Sequence, residues 1–320
     1  MIIHSFELTP DGQGNPLTGQ AVSDMVKDER LAWVHLDANH PDTENWLRDN
    51  VDYLDQIIID ALLAEETRPR VVEHGEGAML ILRGVNLNEN ADPEDMISIR
   101  LWVDRSRIIS LQKRNLKAVK DIVERLEEGR GPKNAGEFLT MLSSHLFERM
   151  EPVFSELDDR LDDLEETIIA DPDARHRQDI TYLRKQAILF RRYIAPQKDV
   201  MVQLRTSDLG WLEGIHKRRL QEVLDRITRY VEDLDAIRER AQIVKDELAN
   251  SLADRMNKNM YVLSLVAAIF LPLGFLTGLL GINVGGMPGT ESAAAFWIVS
   301  AVCAVFALIV AAVLKWLRWY

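Results

Sequence analysis

The sequence predicts a mixed α/β domain at the N-terminal end, then a long helical stalk, and then two transmembrane helices at the C-terminal end. Short β-branched and alternating apolar runs fill the first third of the 320-residue chain. A helical pattern resumes at Trp211 and continues towards Pro272 without an obvious break. Residues 259–290 and 292–314 contain no charged side chain. Because a helix needs about 20 apolar residues to cross a bilayer core, both segments are long enough.

Composition excludes several classes of protein. The chain carries 51 acidic and 38 basic residues, a net charge of −13, which argues against nucleic acid as a partner. Its single cysteine, Cys303, excludes a disulfide framework and a cysteine-based zinc cluster. Residues 1–10 contain neither a positive run nor a long apolar run. We therefore expect no signal peptide, and a head that stays in the cytoplasm.

Residues 1–130 are expected to form the cytoplasmic α/β domain. Helical patterns fit Thr43–Asn50 and Leu54–Ala64, between strand-like runs. The predicted strands are Ile2–Leu8, Leu31–Leu36, Ala78–Leu87, Met96–Val103 and Arg107–Gln112. We find no glycine-rich phosphate loop and no local signature of a nucleophile with its base. The chain is not expected to be an enzyme or to hold a cofactor.

Residues 131–207 are expected to form a helical hairpin with opposite charges on its two arms. Residues 151–166 hold eight acids and one base, whereas residues 175–205 hold eight bases and two acids. One interpretation is an acidic helix that folds back on a basic one. The other is an acidic face that gathers cations through its summed potential. Residues 208–258 then form the cytoplasmic part of the stalk helix.

The flanking charges predict how the chain crosses the membrane. We place the first span at 259–280, an external loop at 281–292, the second span at 293–314 and a cytoplasmic tail at 315–320. Arg255 and Lys258 precede the first span, Lys315 and Arg318 follow the second, and the connecting loop has no basic residue. The positive-inside tendency therefore predicts that both termini are cytoplasmic.

A stripe of polar and small residues follows one side of the stalk helix at steps of three and four. Its members are Asp246, Asn250, Ala253, Asn257, Met260, Leu263 or Ser264, Ala267, Leu271, Gly274 and Gly278. Two spans cannot enclose a conduit alone, so a pore would need several copies around an axis. The stripe then resembles a hydrated funnel that narrows to a dry constriction. The alternative is that its small residues only let helices pack closely in lipid.

The outer end of the first span resembles the CorA superfamily of divalent-cation transporters. The resemblance rests on Gly281–Ile282–Asn283, on Met287–Pro288, and on the runs Arg255–Met260 and Phe270–Gly278. Magnesium-transporting members usually have Gly-Met-Asn. Ile282 in the middle, with the basic stretch 183–197, resembles the ZntB branch, which is associated with zinc.

The resemblance implies a funnel-shaped homopentamer in the inner membrane, with the first span of each subunit lining the pore. Gly281, Ile282 and Asn283 would form the outer ion filter, with Asn283 contacting the metal through water. The family's pore-facing positions fall on Asn257, Met260, Leu263, Ala267, Leu271, Gly274 and Gly278, which agrees with the stripe. Glu222 matches a regulatory metal position of some members.

Two departures from the family pattern bear on the choice of ion. Gly274 stands where magnesium members commonly have a pore-lining threonine, and Gly289 stands where an acid is frequent, leaving Glu291 as the loop carboxylate. Zinc is the favoured ion, with a magnesium, cobalt or nickel channel as the alternative. Residues 259–290 lack ionisable carriers, so proton coupling would have to use Asp246 or Glu291.

Two classes without transport compete with this interpretation. One is a membrane-anchored scaffold or signalling protein, and the other is a tethered enzyme with a metal site on the acidic helix. An anchor has no need of Asn283 in a glycine-rich loop, and the head offers no acid–base constellation for an enzyme.

Overall fold

The computed structural model describes residues 1–27, 30–51, 53–65, 67–281, 289 and 292–316, with the side chains of residues 314 and 315 excepted. It divides into two compact units, Met1–Lys245 and Asp246–Tyr320. We refer to the first as the head unit and to the second as the membrane unit.

The head unit is built on one mixed sheet of seven strands in the order β2-β1-β3-β7-β6-β5-β4. Strands β3 and β7 pair in parallel, with Val34 opposite Ile109, and the other neighbours pair antiparallel. The strands are β1 Ile2–Leu8, β2 Gly14–Pro16, β3 Ala32–Asp37, β4 Arg70–His74, β5 Gly77–Gly84, β6 Ile97–Val103 and β7 Arg107–Gln112.

The sequence patterns did not predict the two edge strands. Strand β2 has three residues and ends in Pro16, and proline is tolerated only at such edges. Strand β4 has exposed or half-buried residues at every position, so it lacks the buried alternation that marks a strand. The five predicted strands are confirmed, with ends shifted by at most three residues.

Helices cover both faces of the sheet and create its core. On one face, Val34, Leu36 and Ile81 are buried among side chains of α1 Gln20–Lys27, α2 Thr43–Asn50 and α3 Gln56–Leu63. On the other face, Trp33 of β3 meets Phe138 of α5, with ring centroids 5.0 Å apart. The sequence patterns did not predict α1, whose eight residues bury Val22, Met25 and Val26.

The remaining helices follow the sheet in chain order. They are α4 Lys117–Glu127, α5 Ala135–Glu148, α6 Glu151–Ala170, α7 His176–Thr206, α8 Gly214–Leu280 and α9 Ala295–Trp316. Helix α8 has 67 residues, and the boundary between the two units falls within it. It begins three residues later than predicted, since Trp211 and Leu212 are buried in the turn before it.

The acidic helix α6 finds a basic partner on α8. Arg240 reaches Asp158 and Glu165 at 3.0 Å each, and it also pairs with Asp162. On the basic helix, Arg191 pairs with Asp235 of α8 at 2.6 Å. Helices α6 and α7 do pack together, through residues such as Phe154 and Phe190. The charge pattern suggested that α6 would pair with the basic helix α7. Among the described ion pairs, however, those of α6 run to α8.

A buried histidine in the sheet makes the stability of the head unit depend on pH. His35 is fully buried, 2.7 Å from Ser110 Oγ, and burial lowers its pKa from 6.5 to about 4. The unfolded chain therefore binds a proton between pH 6.5 and 4 that the folded head does not. Stability should fall as pH falls through this window, by up to about 1.4 kcal/mol per pH unit.

The check is chemical denaturation of the full chain in detergent at pH 7, 5.5 and 4. His35→Gln should reduce the loss of stability at low pH, whereas His40→Gln, at a half-buried histidine, should leave that loss unchanged. Equal slopes for the parent and His35→Gln would contradict the assignment.

Candidate ion pathway

The membrane unit contains the C-terminal part of α8 and all of α9, both rich in exposed apolar side chains. Each of these helices has an apolar window long enough to cross a membrane, with a mean hydropathy of 2.3 in α8 and 2.7 in α9. None of the residues in either window is buried within one chain. Leu263 is 70% exposed and Phe270 is 67% exposed. Such a surface fits lipid or further copies of the chain, not water.

One stripe of α8 is partly covered. Its half-buried residues recur at steps of three and four: Tyr261, Leu265, Ile269, Pro272, Leu273 and Leu276. Helix α9 carries a matching half-buried stripe at Ala295, Val299, Cys303, Phe306, Ala307 and Val310. The spacing is that of a helix packing surface. We infer that the two helices of this unit pack on each other through these stripes.

The stripe expected to line a pore lies opposite the covered one. An α-helix turns by about 100° per residue, which places Met260, Leu263, Leu271, Gly274 and Gly278 on the far side of α8 from the covered stripe. All five are exposed in the single chain, and Leu271 is 73% exposed. Ala267 shares their side and is half-buried. Asp246, Asn250, Ala253 and Asn257 are exposed towards the start of the unit.

Two glycines, Gly274 and Gly278, leave the uncovered stripe of α8 without side chains near its outer end. A Cβ atom added at Gly274 or Gly278 would meet no atom within 4 Å, so neither glycine is required by packing inside one chain. Nearby, the Thr277 hydroxyl donates to the Leu273 carbonyl at 2.9 Å. That hydroxyl is therefore bound to its own helix.

Gly281 ends α8 under a different constraint. Its N–H donates to the Thr277 carbonyl at 2.9 Å, and an added Cβ would lie 2.9 Å from the same oxygen. A side chain there would push on the backbone that closes the last turn. This contact gives a physical reason for glycine at the first position of the predicted filter.

Gly281→Ala is expected to destabilise the turn at the end of α8, because the Thr277 carbonyl would have to move. Gly278→Ala is the matched control, since its Cβ is unobstructed and alanine favours helix by about 1 kcal/mol. Thermal melting of the detergent-solubilised protein measures both. The first variant should melt lower than the parent and the second should not, and a reversed order would contradict the constraint.

The remaining predicted site residues are Ile282, Asn283, Glu291 and Glu222. Ile282, Asn283 and Glu291 fall outside the described residues. Glu222 belongs to the head unit, where it is exposed and lines a cleft of about 540 Å³ with Arg219 and Glu137. Its side chain is therefore accessible in a single chain.

The described part of the chain holds no cluster of three or more histidine, cysteine or carboxylate side chains able to bind a metal ion. The α8 stripe offers one carboxylate, Asp246, together with amides, small residues and apolar side chains. His35 and His216 are buried in the head, and His216 Nδ1 accepts the Glu213 N–H at 3.1 Å. This chemistry fits an ion that passes with its water more than one held by strong ligands.

Comparisons with known proteins agree on one family. Residues 28–316 match the family described as CorA-like Mg²⁺ transporter protein. A protein of Pseudomonas aeruginosa named divalent cation transporter CmaX is 40% identical, over 93% of this chain and 90% of its own. A zinc transport protein ZntB of Yersinia enterocolitica is 35% identical, over 99% and 94%. The solved structure of full-length CmaX superposes with a TM-score of 0.85 at 38% identity, covering 98% of both chains.

Proposed function

Because this chain belongs to the CorA-like family and is a divalent cation transporter, we propose that it carries zinc across the inner membrane through a pore lined by α8. The observation that carries the proposal is the uncovered stripe of α8, which lies opposite the half-buried stripe of the same helix. Two spans enclose nothing by themselves, so the conduit requires several copies. We propose a homopentamer with both termini in the cytoplasm.

The order of side chains along the stripe supports passage of a hydrated ion. Asp246, Asn250 and Asn257 stand at the cytoplasmic end, where carboxylate and amide oxygens accept hydrogen bonds from the ion's water. Met260, Leu263 and Leu271 follow and narrow the path with apolar side chains, which suits gating by dewetting. Gly274 and Gly278 then leave room towards the outer end.

We assign the outer filter to Gly281, Ile282 and Asn283. In a ring of copies the Asn283 carbonyl oxygens converge on the axis and accept hydrogen bonds from the water around the ion. Glu291 adds a carboxylate to the same external loop. Glu222 is assigned a regulatory metal contact in the head unit.

Zinc is favoured over the other ions by the ZntB relative and by two positions. Gly274 removes a hydroxyl from the lumen, and Ile282 replaces the methionine usual in magnesium members. The runner-up is a magnesium, cobalt or nickel channel, which the absence of imidazole and thiolate from the described stripe favours. Family membership argues against the scaffold and tethered-enzyme interpretations.

Ion uptake into liposomes that contain the purified protein tests the proposal. Zinc, cobalt, nickel and magnesium are compared with and without an imposed pH gradient, and empty liposomes give the leak. Zinc flux above that of the other ions supports zinc as cargo, and a rise with the gradient supports proton coupling. Magnesium flux indifferent to pH would overturn the zinc assignment, and no flux from a folded oligomer would overturn the pore.

Proton coupling would have to use groups at the ends of the first span. Asp246→Asn and Glu291→Gln, made separately and together, locate it. If proton flux persisted unchanged in the double variant, neither carboxylate would be the carrier.

A further inference from the structure

A cleft in the head unit is lined by four arginines although the chain as a whole is acidic. The cleft measures about 520 Å³, and its arginines are Arg68, Arg83, Arg114 and Arg192. Two carboxylates, Glu65 and Asp95, also line it. We call it the arginine cleft. Its residues come from five separate parts of the chain, so no linear sequence motif predicts it.

Contacts from several parts of the fold hold the Arg83 side chain in the wall of this cleft. From strand β5, its Nη1 donates to the Met96 carbonyl at 2.7 Å and its Nη2 to the Thr67 carbonyl at 2.8 Å. Its guanidinium lies over the Tyr193 ring of α7, 4.2 Å from the centroid. A planar cation fixed from several sides is already oriented for a ligand, and less side-chain entropy is lost when the ligand binds.

The positive charge of the arginine cleft is only partly compensated. Asp95 forms an ion pair with Arg114, whose Nη2 donates to Asp95 Oδ1 at 3.1 Å. Arg68 and Arg192 form no ion pair with any residue that the structure describes. Burial lowers the pKa of Arg83, and the nearby charges of Arg114 and Arg192 lower it further, against the opposing effects of Tyr193 and Asp95. These cations therefore repel one another.

A fifth arginine adds charge behind the cleft. Arg100 of β6 lies opposite Ile81, two residues along the sheet from Arg83 and on the same face. It is fully buried and donates one hydrogen bond, from Nη2 to the Ala64 carbonyl at 2.8 Å. Its Nε and Nη1 have no hydrogen-bond partner among the described residues. A buried cation that pairs with no carboxylate among the described residues is costly, and an anion nearby would offset that cost.

We propose that the arginine cleft binds a phosphorylated small molecule carrying at least two negative charges. Guanidinium groups bind phosphate oxygens in pairs through parallel N–H groups. The volume exceeds what a single phosphate fills and falls within the range of about 300–1,000 Å³ usual for small-molecule sites. The ligand would relieve the repulsion among Arg83, Arg114 and Arg192. This site is independent of the ion pathway and places ligand sensing in the head unit.

Calorimetric titration of the full chain in detergent with sodium pyrophosphate tests this site, in metal-free buffer at low salt. Arg192→Gln and Arg68→Gln remove the two exposed arginines without an ion pair, and neither touches the core. Each is expected to weaken pyrophosphate binding about tenfold or more, because a hydrogen bond to a charged group is lost. Arg177→Gln, an exposed arginine of the same helix α7, is the matched control and should bind like the parent.

Three results would overturn the site. These are no pyrophosphate binding by a folded oligomer, equal weakening by Arg177→Gln, and binding of the dicarboxylate malonate as tight as that of pyrophosphate. Gel filtration and thermal melting verify that each variant is folded and assembled.

Discussion

Replacing Asn283 by alanine is expected to abolish most of the cation flux while leaving the assembly intact. In the proposed filter each subunit gives one amide oxygen to the water around the ion. A hydrogen bond of this kind is worth about 1 kcal/mol, and a ring of subunits loses all of them together. Flux into liposomes should therefore fall by about tenfold or more.

Asn259→Ala is the matched control for Asn283→Ala. Asn259 is exposed on α8 at the edge of the stripe, about one turn before Leu263, and it is not assigned to the filter, so its loss should reduce flux far less than the loss of Asn283. Ile282→Met restores the residue usual in magnesium members and should raise magnesium flux relative to zinc. Parent-like transport by Asn283→Ala would remove Asn283 from the filter.

A cysteine at Leu271 is expected to make transport sensitive to a charged, membrane-impermeant thiol reagent. Leu271 is 73% exposed on the uncovered stripe of α8, which faces the conducting path of the proposed pore and is wetted when the pore opens. Thiols react as thiolates, which form in water and not in lipid. A bulky charge at the narrow apolar stretch should block nearly all flux.

Only one native cysteine has to be removed before this experiment. Cys303 is the single cysteine of the chain and lies half-buried on the covered stripe of α9, so Cys303→Ala gives the cysteine-free background. Val262→Cys is the matched control, because Val262 is 56% exposed on the side of α8 opposite the uncovered stripe and should lie outside the conducting path. If the reagent blocked flux equally in both variants, or failed to react with Leu271→Cys, the ion path would lie elsewhere.

The sequence patterns predicted those parts of the fold that carry a strong periodic signal. Strand Arg107–Gln112 and the continuous helix α8 have apolar patterns typical of a buried strand and of a long helix. Strands β2 and β4 were not predicted, because an edge strand buries few side chains and lacks the alternation of buried and exposed residues. The ion-pair partner of the acidic helix was not predicted either, since Arg240 lies 75 residues or more along the chain from the carboxylates that it contacts.

The stripe that we propose lines the pathway could be recognised in the sequence for a related reason. A stripe at steps of three and four is a property of one helix and can be read from a short stretch of sequence. Which side of α8 is half-buried depends on its surroundings in the folded chain, and only the structure separates the half-buried stripe from the exposed one. The arginine cleft is the opposite case, because Arg68, Arg83, Arg114 and Arg192 meet only through the folded sheet and α7.

The two sides of α8 have different genetic consequences. In the proposed ring, a defect on the uncovered stripe sits in a lumen that all subunits share, while the altered subunit still assembles. Such a mutation should act dominantly when it is co-expressed with the normal gene. A defect on the covered stripe, at Leu265 or Ile269, instead prevents the subunit's own two helices from pairing, and the failed subunit never joins a ring. That mutation should be recessive.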